Sequence, residues 1–148
     1  MKLITLPILC IHADNKVKQL LDASVEIRKQ SYSPYSHFKV GAAVRGADGK
    51  IYLGCNVENA SFGLTICAER TALVKAVSNG CLKFDEISIA AVNKDQFTSP
   101  CGACRQFLAE FNPRIKIYLC NPDIETVAET TLSHLLPESF NPENVEFS

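Results

Sequence analysis

PCGACRQFLAEF, residues 100–111, sets two cysteines three apart at the mouth of an amphipathic run. The apolar spacing of RQFLAEF predicts a helix that Asn112-Pro113 ends, so Cys101 and Cys104 bracket its first turn. There, free backbone N–H groups and the positive end of the helix dipole stabilise a thiolate. A second helix is expected over CAERTALVKAVS, with Gly80 just beyond it as a stop, and Cys67 stands at its start. Both helices are expected to follow strands of one parallel sheet. Their starts would then lie side by side at its carboxyl edge, where open sheets bind ligands.

The other elements build outward from this pair. Asp14 is a fitting N-cap for a helix from Asn15 to Lys29. SYSPYSHF breaks that helix, and FKVGAAVRGADGKIYLGCNVENA reads as a hairpin turning at GADG, not as a phosphate loop. EISIAAVN is a continuous apolar strand of the buried kind, RIKIYLCN is another strand, and TLSHLLP is a short last helix. The order helix, strand, strand, helix, strand, helix, strand argues for an α/β domain, one mixed sheet with helices on both faces.

Composition narrows the function. At 148 residues the chain can bury roughly 70% of its unfolded surface, enough for one core without staples. A formal charge of -1 leaves no basic footprint for a polynucleotide, so small ligands fit better. Seven cysteines cannot all pair internally. Cys10, Cys55, Cys81 and Cys120 each sit alone in or beside apolar stretches and read as small buried residues. Lys2 and the apolar run to Ile11 make a poor signal peptide, because Pro7 interrupts it and no cleavage pattern follows. No stretch approaches the roughly 18 apolar residues of a membrane span. The expected compartment is the cytoplasm, with residues 1–14 an extension packed on the domain or on a partner and 15–148 a single domain.

Three thiolates and one open position are the donor pattern of a catalytic zinc site; four closed ligands are structural. His12, His37 and His134 lie far in sequence from Cys67, Cys101 and Cys104 and read as ordinary histidines. Glu69, two residues after Cys67, has a plain reading as an acid in a first helical turn. Beside a metal-bound water, a carboxylate that does not itself coordinate is the group needed to move protons. Residues two apart on a regular helix point apart, so that role requires Cys67 to sit at the cap. Three thiolates also leave zinc with a net negative charge, which Arg70 or Arg105 could offset, although a solvent-facing Arg105 fits equally well.

CAE at 67–69 with PCGAC at 100–104 matches the zinc deaminase pattern H/C-x-E then P-C-x-x-C. With YSPYSHFKVGAAV, GCNVENASF, CAERTAL, SPCGACRQFL and LLPESF, the chain resembles the cytidine deaminases of the short, homotetrameric, three-cysteine type over about residues 15–140. The resemblance implies a three-layer α/β/α fold with a mixed five-stranded sheet and one zinc ion per subunit. It implies hydrolysis of cytidine and deoxycytidine to uridine and deoxyuridine with release of ammonia, a part of pyrimidine salvage. Zinc-activated water would attack C4 while Glu69 shuttles protons. Asn56 and Glu58 correspond to the ribose-binding pair, and residues two apart on a strand do share a face. Phe38 would line the pyrimidine pocket, Ala68 would contact the substrate, and Phe140 would enter a neighbouring subunit's site. Arg70 would hydrogen-bond the thiolates. Phe62 stands where many relatives carry tyrosine, which removes one hydroxyl near the ribose. A nucleoside-antibiotic deaminase is disfavoured by NVEN; a structural zinc module and a thiol oxidoreductase using Cys101 and Cys104 are the readings from other classes.

Overall fold

The computed structural model describes residues 8–9, 14–93 and 96–145. In chain order the elements are β1 (Ile8–Leu9), α1 (Asn15–Arg28), β2 (Val40–Gly46), β3 (Ile51–Cys55), α2 (Ala68–Ser78), β4 (Phe84–Ala91), α3 (Gly102–Ala109), β5 (Lys116–Cys120), β6 (Val127–Thr131) and α4 (Leu132–Leu135), with one 3-10 turn at Phe62–Leu64. Asp14 caps α1 as expected, its carboxylate accepting from the Lys16 N–H at 2.8 Å. The GADG turn closes through a 2.9 Å bond from Gly49 N–H to the Gly46 carbonyl, with Gly49 at φ 81°, a conformation that suits glycine. α3 begins three residues earlier than the RQFLAEF run, since Cys101 itself is its cap.

The strands form one sheet in the order β1-β6-β5-β4-β2-β3. The expected mixed five-stranded sheet is β2 to β6, and β1 adds a short sixth strand by pairing Ile8 with Ala128 and Leu9 with Val127 along the outer edge of β6. β6 is absent from the pattern reading, because VAETT offers neither a long apolar run nor strict alternation. The residue period of two divides the core. Ala42, Val44, Ile87, Ile89, Ile117 and Leu119 face α2, α3 and α4. Ala43, Ala90, Tyr118 and Cys120 face Leu20 and Leu21 of α1. Helices thus cover both faces, giving three layers.

The strands before the two cysteine helices are not neighbours in a parallel sheet, which corrects that expectation. Among the described strands, only β4 and β5 pair in parallel. β2 lies between β3 and β4 and is antiparallel to both, so β3 and β4 run in the same direction. α2 and α3 therefore still begin at the same end of the sheet.

How closely α2 lies on β3 is set by Gly54. A Cβ there would stand 2.3 Å from the Ala72 nitrogen and 2.4 Å from the Ala68 oxygen, both backbone atoms that cannot swing aside. Gly54→Ala should therefore force α2 off the sheet and cost about 2 kcal/mol or more, read as a lower urea midpoint at unchanged slope. An unaltered midpoint would mean that α2 can retreat freely.

Candidate active site and metal centre

Cys67 is the N-cap of α2 and Cys101 the N-cap of α3, both in extended backbone conformation, with φ,ψ of -71°,154° and -66°,166°. The cap geometry that Glu69 requires is thus met. Cys104 lies fully buried in the first turn of α3. The Sγ atoms of Cys67 and Cys101 are 3.8 Å apart, and all three sulfurs fall within 4.8 Å of one another. A tetrahedral zinc ion with Zn–S of about 2.3 Å needs an S···S edge of about 3.8 Å, so the donor set fits that ion. Among the described residues this is the one cluster of three or more metal-ligating side chains, and all six described cysteines are free thiols.

Electrostatics at the cluster is divided sharply. The Cys67 thiol is pulled down to about 5, first by its hydrogen bond with Cys104, with Arg70 and Cys101 adding to the effect against burial. Cys104 is pushed up, first by the same bond with Cys67 and then by burial. Arg70 Nη2 donates to Cys67 Sγ at 3.4 Å, and this bond holds the guanidinium firmly charged. Its Nε is buried with no hydrogen-bond partner. Glu69 is 5% exposed, and burial pushes its carboxyl up, with the Cys67 charge adding to the shift. Ala68, between Cys67 and Glu69, is fully buried.

Arg105 neither joins the cluster nor faces solvent, a correction to both readings it carried. Its Nε donates to the Pro100 carbonyl and its Nη1 to the Leu135 carbonyl, both at 2.8 Å, so it braces the entry to α3 against α4. Of the bland cysteines, Cys81 and Cys120 are buried as expected and Cys55 is half-buried; burial raises the thiols of Cys55 and Cys120, the latter to about 11. His37 and His134 are exposed and outside the cluster. Cys10 and His12 lie outside the described residues.

Asn56 and Glu58 lie just beyond β3, flanking Val57, which bridges to Tyr32 on one side and Ile66 on the other. They do share a face, and both reach the loop between α1 and β2. Asn56 is buried; its Oδ1 accepts from Val40 N–H at 2.8 Å and Ser31 Oγ at 2.5 Å, and its Nδ2 donates to the Phe38 carbonyl at 2.8 Å. One Nδ2 hydrogen remains for a ligand. Glu58 Oε2 accepts from the backbone N–H groups of Tyr35 and Ser36 at 2.9 and 3.2 Å, and Oε1 accepts from the Ser36 hydroxyl. Ser31 and Ser36 are absent from the sequence reading. The serines of SYSPYS, in register with two polar groups after a strand, were the available signal. Phe38 is 42% exposed on this loop. Phe62 is 73% exposed and stands edge-on to Tyr35 at 5.7 Å. Phe140 is exposed, and its carbonyl is held by Gln106 Nε2 of α3 at 2.6 Å.

Residues 14–120 match the family described as the cytidine and deoxycytidylate deaminase zinc-binding region. A cytidine deaminase of Sporosarcina psychrophila is 47% identical over 135 residues, covering 89% of this chain and 96% of that protein. A probable cytidine deaminase of Dictyostelium discoideum is 45% identical over 130 residues, covering 88% of this chain and 87% of its own. The crystal structure of cytidine deaminase from Burkholderia pseudomallei superposes with a TM-score of 0.79 at 43% identity, over 83% of this chain and 98% of that one. The zinc-type deaminase class defined by this fold and thiol cluster is thus met by sequence as well. This chain belongs to the cytidine and deoxycytidylate deaminase family.

Two outcomes test the site. Arg70→Ala removes the donor to Cys67 and should weaken zinc affinity about 10- to 100-fold in a chelator competition. The second concerns pH. The folded protein holds the Glu69 proton more tightly than the unfolded chain, so the stability this acid contributes is full below its ordinary value of 4.5 and is lost as pH rises. Metal-free Glu69→Gln should therefore melt higher than metal-free wild type at pH 8, with the gap closing towards pH 4. A gap independent of pH would place the Glu69 charge in solvent.

Proposed function

We infer that this chain is a zinc-dependent hydrolase that converts cytidine and deoxycytidine, with water, to uridine and deoxyuridine, releasing ammonia. The observation that carries the reading is the meeting of three sulfurs with the buried Glu69 carboxyl at the start of α2, within the family's zinc-binding region. One zinc ion held by Cys67, Cys101 and Cys104 supplies a Lewis acid that makes water a nucleophile near neutral pH. Glu69 would do the proton work: it would take a proton from the attacking water and give it to ring N3, then take the remaining hydroxyl proton and hand it to the departing amine, which leaves as ammonia. Arg70 offsets the sulfur charge. The main chain at Ala68 borders the base, and Phe38 forms one wall of the pyrimidine pocket. Asn56 and Glu58 read the sugar with the one amide hydrogen and the carboxylate lone pairs that their loop bonds leave free.

We further infer a homotetramer in which Phe140 closes a neighbour's site. Exposed Tyr32, Val57, Phe62, Leu64 and Ile66 support such an assembly, because these large apolar groups gather around the same bridged segment. A role in recycling pyrimidine nucleosides follows from the substrate. Among the described residues no helix is long and apolar enough to cross a membrane. Three free thiols serving as ligands suit a reducing compartment, which supports a cytoplasmic location. We also propose a single deaminase domain over 15–148 preceded by a 1–14 extension; the matched span of 14–120 supports the central part of that domain.

Glu69→Gln should keep about one zinc per chain while turnover falls at least about 100-fold, followed as the ultraviolet change from cytidine to uridine. Full turnover in that protein would leave the cluster a structural zinc module.

A further inference from the structure

The loop between α1 and β2 carries a polar junction that the reaction as described does not use. Ser36 Oγ donates to Glu58 Oε1 and at the same time accepts from the Phe38 backbone N–H at 3.0 Å. One hydroxyl therefore joins the residue read as the sugar acceptor to the residue read as the wall of the base pocket. The Ser36 backbone N–H adds a second bond to the other oxygen of Glu58 at 3.2 Å, which fixes the plane of the carboxylate. Ser36 and Glu58 also line one cavity of 330 Å3 together with Tyr35, Phe62 and Thr65. A free glutamate side chain samples many rotamers, and holding it in one removes that cost from binding.

We propose that Ser36 is a positioning residue for sugar recognition, whose hydroxyl aims the Glu58 carboxylate at a nucleoside's ribose hydroxyls and keeps it in register with Phe38. The proposal rests on the sugar-reading role given to Glu58 above. Ser36 touches neither the reacting carbon nor the metal cluster, so its loss acts on binding of the sugar and leaves the chemical step alone. A serine hydroxyl bonded to a carboxylate is a charge-assisted contact, whose removal costs about tenfold in binding.

The test compares Ser36→Ala, Ser36→Thr and Glu58→Gln, each loaded with zinc. Cytidine is the substrate, and 2′,3′-dideoxycytidine, which lacks the 2′- and 3′-hydroxyls and keeps the 5′-hydroxyl, is a competing ligand. Ser36→Ala should raise the KM for cytidine about tenfold with kcat within about twofold, while the inhibition constant of the dideoxy compound stays put. Ser36→Thr, which keeps the hydroxyl, should restore the KM. An unchanged KM in Ser36→Ala where Glu58→Gln raises it overturns the proposal and spares the role of Glu58. An equal loss for both ligands also overturns it, since that reports a collapsed loop. If Glu58→Gln leaves the cytidine KM unaltered, the sugar-reading role fails and the proposal falls with it. Should Ser36→Ala not fold, Ser36→Cys, similar in shape with a weak donor, takes its place under the same expectations.

Discussion

Three sulfur atoms within 4.8 Å of one another cannot all be anions unless positive charge lies among them. Much of the molecule answers that constraint. β3 and β4 run the same way across β2, so α2 and α3 present their N-terminal ends to one place, with a cysteine as the cap of each. The two helix dipoles favour negative charge there, and Arg70 adds a full cation. Burying the Arg70 Nε without a partner is costly, and this cost is tolerable only beside concentrated negative charge. Among the protein groups alone, Cys67 takes the negative charge while Cys104 is pushed to keep its proton. A divalent cation removes the competition, because it takes the place of the shared proton and allows each sulfur to ionise.

The same crowding sets Glu69 apart. One residue, Ala68, separates it from a thiol drawn down to about 5, yet its own carboxyl is pushed the other way by burial and by that thiolate. Neighbouring groups whose proton affinities diverge are the usual means of assigning one to bind and the other to move a proton. Gly54 governs this separation at a distance. Its bare Cα lets the Ala68 to Ala72 turn lie on β3, so that the cap is extended while the next residue is already helical and buried.

Features decided within a few residues were legible in the sequence, and those decided by distant partners were not. The caps of α1, α2 and α3, the GADG turn and the apolar strands β4 and β5 follow from local period and turn chemistry. The place of β2 between β3 and β4 does not, because hydrophobic period carries no strand order. β6 owes its burial to pairing with β5 and not to its own composition. The pairing of β1 with β6 is likewise invisible in a short apolar run that also resembled the start of a leader. Arg105 adjoins Cys104 in sequence, but its guanidinium is occupied by two carbonyls, one of them 30 residues away. The common face of Asn56 and Glu58 was readable from period two; their service as clips for a loop some 20 residues upstream required the fold.

That double service bears on how the site is ordered. Tyr32 N–H bonds the Asn56 carbonyl, Glu58 N–H returns to the Tyr32 carbonyl, and the Asn56 amide closes on Phe38 and Val40. The loop is thereby fixed by the same groups that are read as receiving a sugar, and most of their ordering entropy is spent in folding and not in binding. Its apolar side is left unfinished, however. Phe38 is 42% exposed, Phe62 73% and Leu64 66%, a concentration of bare aromatic and aliphatic surface on a rigid frame. A rigid, half-built apolar wall gains most from a rigid partner, since neither side then loses conformational freedom on contact. A pocket completed by a neighbouring subunit meets that condition, whereas a flexible segment of the same chain would give back in entropy much of what the burial provides.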